Sequence, residues 1–176
     1  MRRIGLKAVY LVVAMMAAAL TGGNPAQAAR PNAETEIGSF GDYAPGTIIV
    51  RTGERHLYLV LGPDQALRYP IAVGKPGKAW AGTTVIARKV VNPTWEAPAI
   101  VHRDHPELPT IIPPGPDNPL GPRALVLKAD EYAIHGTNRP ESIGKRASYG
   151  CIRMFNHDII DLFARVGVGT PVVVEQ

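Results

Sequence analysis

Only one cysteine, Cys151, occurs in the 176 residues. A lone thiol cannot staple its own chain, so the fold stands on packing alone. Cys151 is then either buried and inert, paired with another molecule, or kept for its reactivity. Beyond residue 28 neither sign of charge is in excess, with 16 Lys and Arg facing 15 Asp and Glu. No broad basic field is available to hold nucleic acid. A bilayer-spanning run is also missing: the apolar stretch from Ala8 to Leu20 has 13 residues, short of the ~20 a span requires. Internal repeats and low-complexity segments are absent. What remains is rich in turn formers, with 18 glycines and 17 prolines and only 19% charged residues. That composition excludes a disordered tail or a coiled coil and favours short strands joined by tight turns. The length suits one domain with its own core.

The first residues have a different character. Arg2, Arg3 and Lys7 precede the apolar run, helix-breaking Thr21-Gly22-Gly23-Asn24-Pro25 follows it, and Ala26-Gln27-Ala28 supplies small residues. This is the pattern of an export signal over residues 1–28, cleaved after Ala28. No cysteine follows the apolar run, so a lipid anchor is excluded. The expected product is exported to the periplasm or cell envelope without a transmembrane anchor after processing.

Residues 29–46 read as a short polar lead-in without pattern, and residues 47–176 as the folded domain. Strands are expected over Thr47–Arg51, His56–Leu61, Leu67–Val73 and Thr84–Val91, with Leu57, Leu59 and Leu61 alternating onto one face. The glycine-punctuated loop Gly74–Thr84 lacks the spacing of a phosphate cradle. From Asn92 to Pro122 nine prolines fall in 31 residues, a density that opposes helix and interior strand alike. This segment is read as a wall or lid over a site, with Trp95 either anchoring it on the core or facing the substrate, the anchor being favoured. His102 and His105 beside Asp104 and Glu107 are too proline-broken to form a zinc site, so no metal is expected. Two more strands, Arg123–Lys128 and Tyr132–His135, flank a turn at residues 129–131. A helix capped by Asn156 follows, with Ile159, Ile160, Phe163 and Val166 on one face and Gly167 closing it. Pro171–Glu175 is a last strand. The fold class is therefore mainly β: a single-domain β-sandwich or barrel-like meander with one short helix after Cys151.

Chemistry concentrates between His135 and Arg153. A thiol attacks a carbonyl only as thiolate, so it needs a base and backbone N–H groups for the developing oxyanion. In Ser148-Tyr149-Gly150-Cys151 the glycine permits an unusual turn, and the N–H groups of Gly150, Cys151 and Tyr149 are candidates for that hole. If the chain is extended after Cys151, Arg153 shares its side, depressing the thiol pKa and holding a substrate carboxylate. Two histidines are candidate bases. His135 ends a strand before Gly136 and is favoured over His157, which sits on the first turn of the expected helix.

His135-Gly136-Thr137, then Ser148-x-Gly150-Cys151-Ile152-Arg153-Met154 with Asn156 and Asp158, closely resembles the signature of the YkuD-type L,D-transpeptidase catalytic domain. Ala72-Val73-Gly74-Lys75, the Gly82-Thr83 loop and Asn92-Pro93-Thr94-Trp95 extend the likeness over Thr47 to the C-terminus. The resemblance implies Cys151 as nucleophile and His135 as general base and acid, the Gly136 carbonyl orienting the imidazole. Arg153 and Ser148 then belong to the substrate-binding shell. It implies attack on peptidoglycan stem peptides after diaminopimelate, through a thioester passed to a second diaminopimelate amine or to an envelope protein. Such an exchange of amide for amide uses no cofactor, and acylation of Cys151 by carbapenems is implied as well. Where the family usually has histidine before the glycine, this chain has Tyr149, and the Gly82-Thr83 loop lacks the usual proline. Two other functions fit the same residues: a hydrolase in which water accepts the acyl group, and a noncatalytic wall-binding module with Cys151 buried.

Overall fold

The computed structural model describes residues 33–128 and 132–176. The expected export signal and the turn at 129–131 lie outside them. In chain order the elements are β1 (Glu34–Ile37), β2 (Ile48–Arg51), β3 (His56–Gly62), β4 (Gln65–Gly74), β5 (Gly82–Val91), β6 (Trp95–Glu96), α1 (Ala99–Asp104), β7 (Ile111–Ile112), β8 (Arg123–Leu127) and β9 (Ala133–His135). A single 3₁₀ turn (Pro140–Ser142), β10 (Arg146–Ser148), β11 (Ile152–Met154), α2 (Asn156–Arg165) and β12 (Pro171–Glu175) complete the chain.

Eight strands form a closed ring in the order β4-β11-β9-β8-β5-β12-β2-β3, with β3 returning to β4. Antiparallel pairing carries β2–β3–β4 and β5–β8–β9. Two parallel joints, β9 with β11 and β12 with β2, close the circuit. β4 is the long member: its first half pairs with β1 and β3, its second with β10 and β11. Runs of β-branched residues such as Ile48-Ile49-Val50 and Val172-Val173-Val174 suit this pleated, half-buried surface.

Alternation sorts the side chains into two clusters. Ile48, Val50, Leu57, Leu59, Tyr69 and Ile71 join residues of β8, β9, β11 and β12 in the main core. Leu61, expected on that face, is 44% exposed at the end of β3. The opposite face of β2–β4 presents Ile49, Tyr58, Val60 and Ala66 to Phe40, with Tyr43 beside them. The polar lead-in is thus partly structured: β1 pairs along β4, and Phe40, only 2% exposed, seals the second cluster.

α2 lays Ile159, Leu162 and Val166 onto the main core, while Ile160 faces solvent at 45% exposure. Its caps differ from the sequence expectation. Phe155 is the N-cap and Asn156 the first helical residue; the Asn156 Oδ1 instead accepts the Thr137 N–H at 2.8 Å. Gly167 does not adopt a left-handed conformation. The Lys89 ammonium closes that end, donating to the carbonyls of Phe163 and Val166 at 2.7 and 2.6 Å, where a helix presents unsatisfied oxygens and negative partial charge. The Tyr69 hydroxyl adds a tie to Asp161 at 2.7 Å.

The proline-rich segment also departs from expectation. α1 occupies the proline-free window between Pro98 and Pro106, and β6 pairs with β7 as a two-stranded ribbon. Proline at a helix entrance removes only an N–H that had no intrahelical partner. Among the described residues no helix is long and apolar enough to cross a membrane.

The two faces of α2 give a direct check. Leu162→Ala should cost about 2–5 kcal/mol of unfolding free energy in urea. Ile160→Ala should cost well under half of that, because its side chain leaves little cavity.

Candidate active site

His135 is the last residue of β9, and Arg153 is its partner across the parallel joint with β11. One step earlier in the same register Ile134 meets Ile152, and both are buried in the core. Side chains alternate along a strand, so burying the two isoleucines turns His135 and Arg153 to the other side. Cys151 immediately precedes β11. His135, Cys151, Arg153, Ser148 and Tyr149 all line one cleft of about 850 Å³. Cys151 is partly exposed rather than sealed in hydrocarbon. His157 takes no part in the cleft lining; it stacks on Phe155 at 5.4 Å between ring centroids.

The imidazole of His135 is only 4% exposed. Its Nδ1 lies 2.6 Å from the carbonyl oxygen of Gly136. A carbonyl can only accept, so Nδ1 carries the proton and Nε2 keeps its lone pair. Burial, then the nearby Arg153 cation, push the His135 pKa down to about 4, against the opposing pull of the Gly136 carbonyl. The ring is therefore neutral at neutral pH. Arg153 is itself partly desolvated, which lowers its pKa, while its interaction with Cys151 acts in the opposite direction. The same guanidinium favours a thiolate at Cys151.

The backbone around the cysteine is braced from both sides. Gly150 adopts a φ of +124°, and the Tyr132 ring fills the space a Cβ would need. The Ser148 hydroxyl accepts the Gly150 N–H at 3.1 Å and donates to the Cys151 carbonyl at 2.6 Å. Two of the expected groups have partners within the turn. The Gly150 N–H is engaged by Ser148, leaving the N–H groups of Tyr149 and Cys151 as candidates for an oxyanion hole. Ser148 is 2% exposed, and its hydroxyl bridges the Gly150 N–H and the Cys151 carbonyl within the turn. Gly136 has no room for a side chain either, because Asn156 Oδ1 and Pro122 pack against it.

Trp80 escaped the sequence reading, although a lone indole in a loop of glycine and alanine is a visible signal. Its Nε1–H donates to the Gly150 carbonyl at 3.0 Å, and its ring stacks on Tyr132 at 4.9 Å and 10°. Tyr149 borders the cleft beside Lys75, whose Nζ lies 4.5 Å from its ring centroid. Desolvation and a hydrogen bond to Asp104 of α1 raise the phenol pKa. The proline-rich segment forms the facing wall, through Trp95, Pro98, Val101, Leu108, Ile112 and Leu120. Trp95, at 9% exposure, both anchors that wall and borders the cleft.

The model of the YkuD family, L,D-transpeptidase catalytic domain, matches residues 45–174. The chain belongs to this family. It is 41% identical over 134 residues to a protein named probable L,D-transpeptidase YbiS of Escherichia coli, covering 71% of this chain and 43% of that one. To the putative L,D-transpeptidase YkuD of Bacillus subtilis it is 37% identical over 132 residues, 75% of this chain and 67% of that one. The chain thus spans less than half the length of several curated relatives. Among solved structures, the catalytic domain of an Enterococcus faecium L,D-transpeptidase superposes with a TM-score of 0.58 at 24% identity, over 76% of this chain and 99% of that one. L,D-transpeptidase 3 of Mycobacterium tuberculosis gives 0.59 at 12% identity, over 74% of this chain and 60% of that one. These likenesses establish the shared fold. The Tyr149 ring is turned to Asp104 and Lys75.

The depressed pKa of His135 couples acidity to stability. The unfolded ring titrates near 6.5 and the folded one near 4. Between those values the unfolded chain binds more protons, so stability falls as pH drops through that window, by about 3 kcal/mol in all. Urea denaturation at pH 7 and pH 4.5 should show this loss in the parent protein. A His135→Gln variant should show a smaller one.

Proposed function

We propose that this chain is an exported L,D-transpeptidase that works on peptidoglycan stem peptides in the cell envelope through a thioester on Cys151. The observation that carries the reading is the convergence of Cys151, a neutral His135 with its Nδ1 anchored on Gly136, and Arg153 in one open cleft. Its N-terminal pattern and the names of its relatives support the location and the substrate class.

In the first half-reaction the Cys151 proton passes to Nε2 of His135 and the sulfur attacks the diaminopimelate carbonyl of the amide bond to D-alanine. The oxyanion forms near the N–H groups of Cys151 and Tyr149. Collapse breaks the amide, and the leaving D-alanine amine takes the proton from the imidazolium. In the second half-reaction an acceptor amine attacks the thioester carbonyl, its proton going to His135, and the thiol leaves. One amide is broken and one made, with no net redox change. The acceptor is a second diaminopimelate side chain or an envelope protein. Arg153 and the cations Arg139, Lys145 and Arg146 along the cleft suit the carboxylates of a stem peptide.

Purified muropeptides incubated with the protein should yield new cross-linked dimers by mass. Shortened monomers alone would assign hydrolysis instead. Cys151→Ala should abolish product, and His135→Ala should lower turnover by ~10²–10⁴. Iodoacetamide should label Cys151 in the native protein; an unlabelled native protein would favour a noncatalytic binding module.

A further inference from the structure

The loop between β4 and β5 lies behind the nucleophile, and one of its residues touches the reactive turn. Trp80 donates its indole N–H to the carbonyl oxygen of Gly150 at 3.0 Å. That carbonyl belongs to the peptide whose other half is the N–H of Cys151. A trans peptide is planar, and its C=O and N–H point in opposite directions; none of the described peptide bonds is cis. Holding the carbonyl on one side therefore fixes the N–H toward the other. Tyr149 and Cys151 line the cleft, whereas Trp80 and Tyr132 do not. The carbonyl is thus held toward residues outside the cleft lining, and planarity directs its partner N–H to the opposite side.

Other contacts make this tether stiff. Trp80 stacks on Tyr132, with ring planes 10° apart, and both rings pack against the main core. Tyr132 occupies the volume beside the Gly150 Cα, where a Cβ would collide with its ring. Gly150, free of a side chain and at a φ of +124°, would otherwise be the softest peptide in the turn. Ser148 braces the neighbouring atoms, the Gly150 N–H and the Cys151 carbonyl, but not the carbonyl that Trp80 holds. The peptide joining residues 150 and 151 has the indole as its clamp.

Building on the acyl-transfer reading, we propose that Trp80 is a positioning residue that aims the Cys151 N–H at the oxyanion formed during thioester formation. It acts on the transition state of acyl transfer and not on the nucleophilicity of the sulfur. An electrophile that reacts without forming an oxyanion must then be indifferent to it.

The test compares two probes on Trp80→Phe. Iodoacetamide alkylates sulfur by displacement at a saturated carbon; imipenem acylates it through a tetrahedral oxyanion. The expected result is little change in the alkylation rate and a fall of about tenfold to a hundredfold in the acylation rate, below the ~10²–10³ that loss of an oxyanion donor costs. Tyr132→Phe, which keeps the stacked ring, should match the parent with both probes. Incorporating benzothienylalanine at position 80 keeps the bicyclic stack and removes only the N–H, so it should reproduce the selective fall. Parental acylation in either position-80 variant would overturn the proposal. So would an equal fall with both probes, which marks a general disturbance of the thiol or the fold. A parent protein that is alkylated but never acylated would sink the acyl-transfer reading itself, and the role of Trp80 with it.

Discussion

The parallel joint between β9 and β11 is the constraint on which the site depends. Each strand is three residues long, yet the register between them is firmly set. Ile134, Ile152 and Met154 are essentially fully buried, and a slip of one residue would bring His135 or Arg153 into the core and expose isoleucine. Burying each such side chain is worth about 1.5–3 kcal/mol, and forcing a guanidinium into hydrocarbon would cost several more. Hydrophobic packing on one face thus selects the arrangement of charged and reactive groups on the other. β4 pairs with the outer side of β11 and ties this short joint into the rest of the ring.

The electrostatics follow from that register. Arg153 lies beside both members of the reactive pair, and its charge acts on them in opposite senses. It disfavours an imidazolium at His135 and favours a thiolate at Cys151. Burial is the larger influence on the histidine, and the Gly136 carbonyl only partly offsets it. The outcome is a ring held in the tautomer and the neutral state needed to receive a proton.

Much of this was legible in the sequence, and the legible part was local. The strands at residues 47–51, 56–61, 67–73 and 84–91 announce themselves by alternation and by the turn residues between them. Cys151 and Arg153 fall on one side because a strand has period two. Ring closure was not legible, because the joints of β9 with β11 and β12 with β2 unite segments whose pairing has no local signature. Proline density concealed α1, since what matters to a short helix is the spacing of the prolines and not their number. Asn156 and Gly167 depart from their expected capping roles for a shared reason. Each had an attractive local role by pattern, but tertiary neighbours claimed the position: Thr137 for Asn156, and Lys89 for the end of α2 beside Gly167.

β12 occupies the place between β5 and β2, although it is the last strand described and β2 is among the first. During synthesis, residues 171–175 emerge after every other strand of the ring. Until then β2 and β5 each have an unpaired edge, and Val172 and Val174 are missing from the core. Such edges invite association with other chains, and pairing across so long a loop is intrinsically slow. The interval of exposed edges therefore ends only when β12 slots home, which makes the emergence of that strand a checkpoint for assembly of the barrel.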